Sequence, residues 1–172
     1  MPTPSESLYR EIQLTRGMVA LVDAEDYEEL SQYSWHARRN PTTGLYYAAR
    51  TTPHDKNGRQ LTVRMHRQIL GLEPGDPRQA DHKEPMLTLD NRRSVNLRIA
   101  TWSENMRNRR KSRNNKSGHK GVSWSKEHQK WQATIHLEGK NRFLGRFVEL
   151  SSAAEAYRNA AIENFGEFAR VC

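Results

Sequence analysis

The segment KWQATIHL, residues 130–137, constrains the fold more than any other part of the chain, because apolar and polar residues alternate in it. A period of two predicts a β-strand with one apolar face and one polar face. The flanking segments KGVSWS and NRFLGRF also have the composition of strands, and LEGKN has that of a tight hairpin connection. We therefore predict a three-stranded antiparallel sheet whose apolar face is covered by another element.

The covering element is predicted by the next segment, SSAAEAYRNAAIENFG. Ser152 and Glu155 have the spacing of a capping box at the start of a helix, and Gly166 is a typical residue at its end. One side of this helix carries apolar residues at helical spacing, namely Ala154, Tyr157, Ala161 and Phe165. The other face of the sheet is left polar, and a sheet face this narrow can enter the major groove of DNA.

Composition limits the chain to modest cores. Of the 172 residues 35% are apolar, and the mean hydropathy is −0.97, which favours two small modules over one large barrel or sandwich. No run approaches the roughly 20 apolar residues that span a membrane, and the N-terminus lacks the features of a secretory signal. The single cysteine, Cys172, excludes an internal disulfide framework and a multi-cysteine zinc site, so we expect a reducing cytoplasm.

Positive charge is concentrated in the later part of the sequence. The net charge is +8; residues 1–65 carry eight basic and eight acidic side chains, whereas residues 66–172 carry twenty and twelve. Between Met106 and Lys120 there are seven Lys or Arg residues and no acid. Such a block indicates a polyanionic partner, most often nucleic acid, with a solvated linker as the alternative.

Residues 1–65 predict a leader of short strands and one helix. REIQLTRGMVALVD contains two strand-like runs interrupted at Arg16 and Gly17, and DAEDYEELSQY predicts a short helix. GLYYAART and RQLTVRMHRQIL are predicted strands joined by a turn at Asn57 and Gly58. Trp35 and YYAAR are expected in the core of this part.

The polar segment SRNNKSGHKG has no periodicity and predicts a linker. We place the basic linker at residues 113–117, so that a motif-bearing segment at 66–112 precedes it and the sheet-and-helix domain at 118–172 follows it. Together with the leader, residues 1–112 form the first predicted module.

The stretch that begins QADHKEP has the residue types that phosphodiester hydrolysis requires. His82 titrates near neutrality and is a candidate general base. Asp81 is a candidate ligand for a hard divalent cation such as Mg²⁺, and a neutral Asn oxygen can add a ligand without repelling phosphate. RQADH and NLRIAT predict two short strands, and SENMRNRR predicts a helix capped by Ser103. The alternative is that Asp81 and His82 only hydrogen-bond each other in a turn while the asparagines cap local structure.

In full, DH…LDNRRSVNLRIATWSENMRN resembles the His-Asn-His (HNH) motif of phage and bacterial homing-type endonucleases. The resemblance implies a ββα-metal (His-Me finger) nuclease module that holds one Mg²⁺ or Mn²⁺ ion. It implies that His82 is the general base and that Asp81 and Asn105 are the metal ligands. It makes Asn96 the central Asn of the catalytic motif, which ties the loop together through backbone hydrogen bonds. His66, in VRMHRQILG, matches the entry segment of the family, and we assign it a structural role, with a phosphate-facing role as the alternative.

One departure from the family pattern keeps a rival function open. The usual Asn-Gly turn after the Asp-His pair is missing, and one extra residue precedes each of Asp90 and Asn96. The rival is a non-catalytic, regulatory DNA-binding protein with a decayed nuclease module. An RNA-binding module is less favoured, because the sequence lacks paired stacking aromatic residues.

Residues Gly118–Ala169 resemble the apetala/ethylene-response-factor DNA-binding domain, on the segments KGVSW, KWQATI, FLGRF and AAEAYRNAAIENFGEFA. The resemblance implies that the exposed sheet face docks in the major groove. Thr134 and His136 stand where plant members usually carry Glu and Arg, so the base preference does not transfer. For the aromatic residues of this domain core packing is the alternative, and for Trp131 we adopt it. The predicted DNA contacts are Arg107, Arg109, Arg110, Lys111, Arg113, Lys120, Ser123, Lys126, Thr134, His136, Arg142, Phe143 and Arg146.

Together these patterns predict an α+β protein that cuts DNA with one divalent ion and is directed to DNA by its C-terminal domain. We expect a monomer that binds double-stranded DNA, without a membrane or a small-molecule cofactor, in a bacterial host or a phage-infected cell. DNA binding that depends on phosphate contacts is expected to weaken steeply with salt.

Overall fold

A computed structural model describes residues 8–112 and 114–170. It is a mixed α+β structure with several small antiparallel sheets and few helices. The chain divides into two compact units between Trp102 and Ser103. In this division the predicted linker belongs with the second unit, and its first residue, Arg113, lies outside the described residues, as does Cys172. No helix within the described ranges is long and apolar enough to cross a membrane.

The first unit begins with a hairpin. Strand β1 (Tyr9–Gln13) pairs antiparallel with β2 (Val19–Asp23) across a short 3-10 turn at Thr15–Gly17. Both Arg16 and Gly17 have φ of +66°, a left-handed conformation that ends the first strand where the sequence predicted an interruption. Helix α1 (Ala24–Ser31) follows, as predicted from its acidic first turn.

A three-stranded antiparallel sheet comes next, formed by β3 (His36–Arg39), β4 (Tyr46–Thr51) and β5 (Thr62–Arg64). The turn before β5 contains Gly58, whose φ is +71°, as the Asn-Gly pair predicted. The prediction of a strand through MHRQIL is wrong, because residues Met65–Ile69 form helix α2.

The core of the first unit explains the helical conformation of α2. Met65 and Ile69 lie four residues apart, so one side of a helical turn buries both. They join a cluster that includes Leu30 and Trp35. The Trp35 indole nitrogen donates to the carbonyl oxygen of Leu30 at 2.8 Å, which satisfies its only polar atom inside the core. Trp35 and Ala48 are buried, as predicted.

A second hairpin completes the first unit. Strand β6 (Gln79–His82) pairs antiparallel with β7 (Leu97–Ala100), with Asp81 opposite Arg98 and His82 opposite Leu97. The long loop between the strands, residues 83–96, is fixed to β2. The amide of Leu21 donates to the carbonyl oxygen of Leu89 at 2.9 Å, and the amide of Asn91 donates to that of Leu21 at 2.7 Å.

Helix α3 (Trp102–Asn108) begins at the last residue of the first unit, and its other residues belong to the second unit. The second unit continues with β8 (Val122–Ser125), β9 (Lys130–Leu137), β10 (Lys140–Phe147) and helix α4 (Leu150–Phe165). The strands form an antiparallel sheet in the order β10-β9-β8. The predicted sheet backed by one helix is therefore present. Helix α3 begins at Trp102, so Ser103 lies in its first turn and is not the cap that the sequence predicted.

Two details of α4 differ from the prediction. The helix begins at Leu150 with Glu149 at its N-cap and without a side-chain cap hydrogen bond, so Ser152 lies inside the first turn and the capping box is absent. Because the helix packs on the sheet through residues at i, i+4, i+8 and i+12, the first buried alanine is Ala153 and not Ala154. The buried residues of α4 are Ala153, Tyr157, Ala161 and Phe165.

Gly121, just before β8, is the glycine that the packing of this unit requires. Its φ is +72°, and a Cβ atom there would lie 2.1 Å from the ring of Tyr157 and 2.6 Å from the carbonyl oxygen of Thr134. Any side chain at Gly121 would therefore separate α4 from the sheet.

Candidate functional site

The Asp-His pair lies at the end of β6, and both side chains are buried, with 5% of each residue exposed. Successive residues of a strand point to opposite faces, so the carboxylate and the imidazole enter different surroundings. The carboxylate of Asp81 points toward the partner strand β7, and the imidazole of His82 points toward the loop and helix α2. Each of the two side chains has a partner of its own, Arg98 for Asp81 and Asn91 for His82.

Arg98 holds the carboxylate of Asp81. Its Nε donates to Oδ2 at 2.8 Å, and both side chains are largely buried. The contact follows from the hairpin register, in which Arg98 stands directly opposite Asp81. A charge-assisted hydrogen bond of this kind fixes the orientation of the carboxylate.

Asn91 sets the tautomer of His82. The Nε2 of His82 lies 3.3 Å from the side-chain oxygen of Asn91, while the amide nitrogen of Asn91 donates to the carbonyl oxygen of Leu89 at 3.2 Å. Since the amide nitrogen is used on a carbonyl, its oxygen must face the imidazole, and an amide oxygen only accepts. In the neutral ring the proton therefore sits on Nε2, and Nδ1 carries the lone pair.

The environment of His82 keeps its ring neutral. Burial lowers the pKa of His82 to about 4, and the hydrogen bond to Asn91 and the charge of Asp90 oppose that shift. Two rings lie beside His82: the ring centroid of His66 is 5.0 Å from that of His82, and that of Tyr47 is 6.0 Å away. A neutral imidazole can accept a proton, which is the first requirement for a general base.

His66 is a buried residue of α2, in agreement with a structural assignment. Its Nδ1 has no hydrogen-bond partner in the described parts of the chain. Burial lowers the pKa of His66 well below its ordinary value, and the nearby His82, Arg64 and Arg67 act in the same direction. The neutral ring packs against Tyr47 with centroids 5.8 Å apart.

Asn96 connects the two ends of the loop between β6 and β7. Its amide nitrogen donates to the carbonyl oxygens of Leu87 (3.1 Å) and Asp90 (2.9 Å), and its side-chain oxygen accepts from the amide of Glu84 (2.9 Å). Its own carbonyl oxygen accepts from Lys83 at 2.7 Å. This side chain is used in holding the loop, so Asn96 is a positioning residue and its polar atoms are not directed at a substrate.

Charged contacts fix the rest of the loop. Asp90 accepts two hydrogen bonds from the guanidinium of Arg92, at 2.8 and 2.7 Å, which lowers the pKa of Asp90. Ser94 donates through its amide and its hydroxyl to the carboxylate of Asp23, at 3.0 and 2.6 Å. Arg93 pairs with Asp26. These contacts hold the loop in a conformation in which Asn96 is 97% buried.

A group of three carboxylates lies at the start of α1. Oxygens of Asp23, Glu25 and Asp26 come within 4.8 Å of one another, a spacing that a metal ion could use. Two of the three already accept hydrogen bonds from the loop residues Arg93 and Ser94. We therefore interpret the group as the anchor of the loop. The sequence analysis did not identify it, although DAED contains all three acids.

Asn105, the second metal ligand that the resemblance implies, lies in α3 and belongs to the second unit. In the same helix the guanidinium of Arg107 stacks over the ring of Phe165 at 4.7 Å. Lys120 donates its ammonium to the backbone carbonyl oxygens of Arg107 and Arg109, and burial lowers its pKa to about 8. Lys120 thus neutralises the carbonyl end of α3, whereas Arg109, Arg110 and Lys111 are exposed.

The sheet of the second unit has the exposed polar face that the sequence predicted. Thr134 faces outward opposite Phe143, and His136 faces outward opposite Asn141, with a 2.9 Å hydrogen bond between the last two side chains. Ser123 and Gln132 form the next pair of the same face. Phe143 is 55% exposed on this face, with the guanidinium of Arg146 5.0 Å from its ring centroid. Lys126 lies exposed in the turn before β9.

Arg142 differs from its neighbours. It stands opposite Ile135, so it projects on the side of the sheet that α4 covers, and it pairs with Glu138 at 3.2 Å. Trp131 packs against the core as predicted, in contact with Trp124 at 5.1 Å between ring centroids. Trp124 itself is 43% exposed, since it lies at the end of β8.

The sequence patterns did not predict the residues that orient the Asp-His pair. Arg98 is found only through the strand register, and Asn91 only through the docking of its loop on β2. Tyr47 and His66 reach His82 from two other elements. The predicted pairing of the LRIA strand with the Asp-His strand was the one available signal for Arg98.

Comparisons with known proteins give one relative. The chain is 41% identical over 75 residues to Protein 3.8 of Escherichia phage T7, which covers 44% of this chain and 61% of that protein. The chain thus spans less than two thirds of the length of the relative it matches. No protein-family model matches the chain, and no solved structure matches it.

Proposed function

We propose that the chain is a metal-dependent DNA endonuclease of the His-Asn-His type, with an apetala/ethylene-response-factor-like domain that supplies DNA affinity. The observation that carries the proposal is the arrangement at the end of β6. A buried carboxylate oriented by Arg98 lies beside a neutral imidazole whose lone pair is set on Nδ1 by Asn91. A structural turn needs neither the buried arginine nor the fixed tautomer.

In the proposed reaction His82 accepts a proton from water through Nδ1. The oxygen of that water forms a bond to phosphorus while the P–O bond to one sugar oxygen breaks, and the leaving sugar oxygen takes a proton from solvent water. The hydrogen bond from Nε2 to Asn91 keeps the ring oriented as it becomes charged. Arg98 adds positive charge beside Asp81 and limits the repulsion between that carboxylate and the phosphate.

The donors implied for the ion are a carboxylate oxygen of Asp81 and the amide oxygen of Asn105. Both are hard oxygen ligands, as Mg²⁺ and Mn²⁺ require, and so few protein ligands leave positions for water and phosphate. A bound divalent ion would stabilise the negative charge that develops on the phosphate.

The proposed DNA contacts lie on the outer sheet face of the second unit and in the basic segment after α3. Phe143 and Arg146 offer a stacking and a charged contact side by side, and Thr134 and His136 offer hydrogen bonds. The name of the phage relative, Protein 3.8, states no activity.

Plasmid cleavage tests the proposal. Supercoiled DNA is incubated at low salt with wild type, His82→Ala and Asn105→Ala, each with Mg²⁺ and with EDTA. We expect cleavage by the wild type only with Mg²⁺, and binding without cleavage by both variants. If the wild type binds DNA but never cuts it with Mg²⁺ or Mn²⁺, the proposal is wrong and the chain is a regulatory binding protein.

A further inference from the structure

The sheet β3-β4-β5 of the first unit carries arginines that have no carboxylate partner. Arg38 stands opposite Tyr47, and Arg64 stands opposite Ala49, so these side chains share one face of the sheet. The opposite face carries the buried Ala37 and Ala48 and belongs to the core. One face therefore packs inward, and the other carries the exposed side chains of Arg38 and Arg64 beside the half-buried Tyr47 and the buried Ala49.

These arginines line a shallow cleft on the outer face. The guanidinium of Arg64 stacks on the ring of Tyr47 at 5.5 Å, and that of Arg38 donates to the hydroxyl of Thr62 at 2.6 Å. The cleft is formed by Arg38, Arg39, Asn40, Tyr47, Ala49 and Arg64.

The absence of acids at this cleft is informative. Elsewhere in the first unit Arg78, Arg92 and Arg98 each pair with a carboxylate. Over residues 8–112 and 114–170, none of Arg38, Arg39 and Arg64 forms a salt bridge, and residues 30–54 contain no Asp or Glu at all. Arg38, Arg39 and Arg64 thus line one cleft without a salt-bridge partner, and a polyanion would supply the missing negative charge.

The cleft adjoins the candidate active site through Tyr47. This residue lines the cleft, and its ring lies 6.0 Å from that of His82. A phosphate chain held by Arg38 and Arg64 would lead toward the imidazole.

We propose that this cleft binds the phosphate backbone of double-stranded DNA next to the phosphodiester that is cut. The inference rests on the proposed function and adds a DNA contact in the first unit, which is electrically neutral in its first 65 residues by sequence. Arg38 and Arg64 each neutralise one phosphate, and the planar guanidinium can bind two phosphate oxygens at once.

The test is the salt dependence of DNA binding by the full chain. Dissociation constants for a short duplex are measured by fluorescence anisotropy without metal, for wild type, Arg38→Gln, Arg64→Gln and the double variant. Each lost phosphate contact reduces the slope of log K against log salt by about 0.9, so we expect the double variant to lose about 1.8. The control is Arg158→Gln, on the outer side of α4, which removes the same charge and should leave the slope unchanged.

A second comparison separates charge from folding. The double variant Arg38→Lys/Arg64→Lys keeps both charges and should retain most of the wild-type slope, whereas a folding defect would not follow the charge. A wild-type slope in the double Gln variant overturns the inference.

The two proposals fail separately in this design. If the wild type binds but never cuts DNA, the nuclease proposal fails and the slopes still decide the role of the cleft. If the wild type cuts and the double Gln variant keeps the wild-type slope, only the cleft is rejected. A wild type that does not bind DNA rejects both.

Discussion

At the residue scale, the chemistry proposed for this chain depends on a side chain that does no chemistry itself. Asn91 is fully buried, and its amide is fixed on both sides, by Leu89 and by His82. A neutral imidazole has two tautomers, and Asn91 selects the tautomer of His82 that has its lone pair on Nδ1. The first residue-scale prediction therefore concerns Asn91.

Asn91→Leu removes the acceptor for Nε2 while keeping a side chain of similar size. We expect the cleavage rate to fall about 100-fold, the lower end of the contribution of general-base catalysis, while DNA affinity is unchanged. Asn91→Asp keeps an acceptor and adds a negative charge that favours the protonated ring. It should cut faster than Asn91→Leu, with the acid limb of its pH–rate profile moved to higher pH. Wild-type cleavage by Asn91→Leu would contradict the assigned role.

The second residue-scale prediction concerns acid stability and His66. Burial holds the pKa of His66 well below its ordinary value in the folded chain, whereas an unfolded imidazole titrates near about 6.5. Between the folded pKa and that value the unfolded state binds more protons, so stability falls as the pH drops below about 6.5. His82 acts in the same direction.

Urea unfolding in EDTA measures the effect. We expect the free energy of unfolding to be lower at about pH 5 than at about pH 7.5. His66→Phe replaces the ring with one that does not titrate, so the difference between the two pH values should become smaller. An unchanged pH dependence in His66→Phe would mean that His66 does not contribute.

At the scale of elements, each unit has one position where a substitution would disturb the packing of an element. In the first unit this is Asn96, which joins both ends of the loop that carries Asn91. In the second it is Gly121, where α4 approaches the sheet. Asn96 determines whether the loop between β6 and β7 packs on β2, and Gly121 determines whether α4 packs on its sheet.

Asn96→Ala removes three hydrogen bonds, one of them buried and two partly buried. At roughly 1 kcal/mol each, the free energy of unfolding should fall by about 3 kcal/mol. The neighbouring Val95→Ala is the control, since Val95 is 52% exposed and its loss should change stability little. Denaturant unfolding measures the free energy of unfolding of both variants. Equal stabilities would show that Asn96 does not hold the loop.

Gly121→Ala introduces a Cβ atom into the ring of Tyr157. We compare it with Gly139→Ala, which has a similar φ of +77° and no atom within 4 Å of the added Cβ. The control should lose about 1 kcal/mol from backbone strain alone. Gly121→Ala should lose several times more, because α4 must move, and its affinity for DNA should fall with the folding of the second unit. Similar thermal midpoints for the two variants would exclude the clash.

At the scale of the whole molecule, the positions of the charged residues matter as well as their number. The first 65 residues are neutral by count, but their acids lie at 6–29 and Asp55, and no acid occurs among the arginines of β3 and β4. The later residues carry the net excess of eight positive charges. A chain with basic surfaces in both units should bind DNA mainly through phosphates.

Binding should therefore depend strongly on salt. If the full chain neutralises about six phosphates, its affinity should fall about 10³-fold between about 50 and about 200 mM monovalent salt. Fluorescence anisotropy with two duplexes of unrelated sequence measures this fall in affinity. Two sequences are used because phosphate contacts do not distinguish sequences. An affinity that does not change with salt would argue against both the proposed function and the cleft.

The sequence alone determined the elements whose cause is local. Alternation over KWQATIHL specified β9 and its two faces, and Gly166 marked the end of α4, because side-chain periodicity acts within one element. The helical α2 was missed, since Met65 and Ile69 adopt a helix only when the core buries both. Likewise the Asp-His pair was evident from the sequence, and its chemistry was proposed from a resemblance.

Only the tertiary structure decided which partners surround that pair. Arg98 reaches Asp81 through the strand register, and Asn91 reaches His82 because its loop docks on β2. The clustering of Arg38 and Arg64 likewise depends on two strand pairings across β4. Such contacts join residues far apart in the chain, and no local pattern encodes them, because the gain that offsets their entropic cost appears only when the elements have packed.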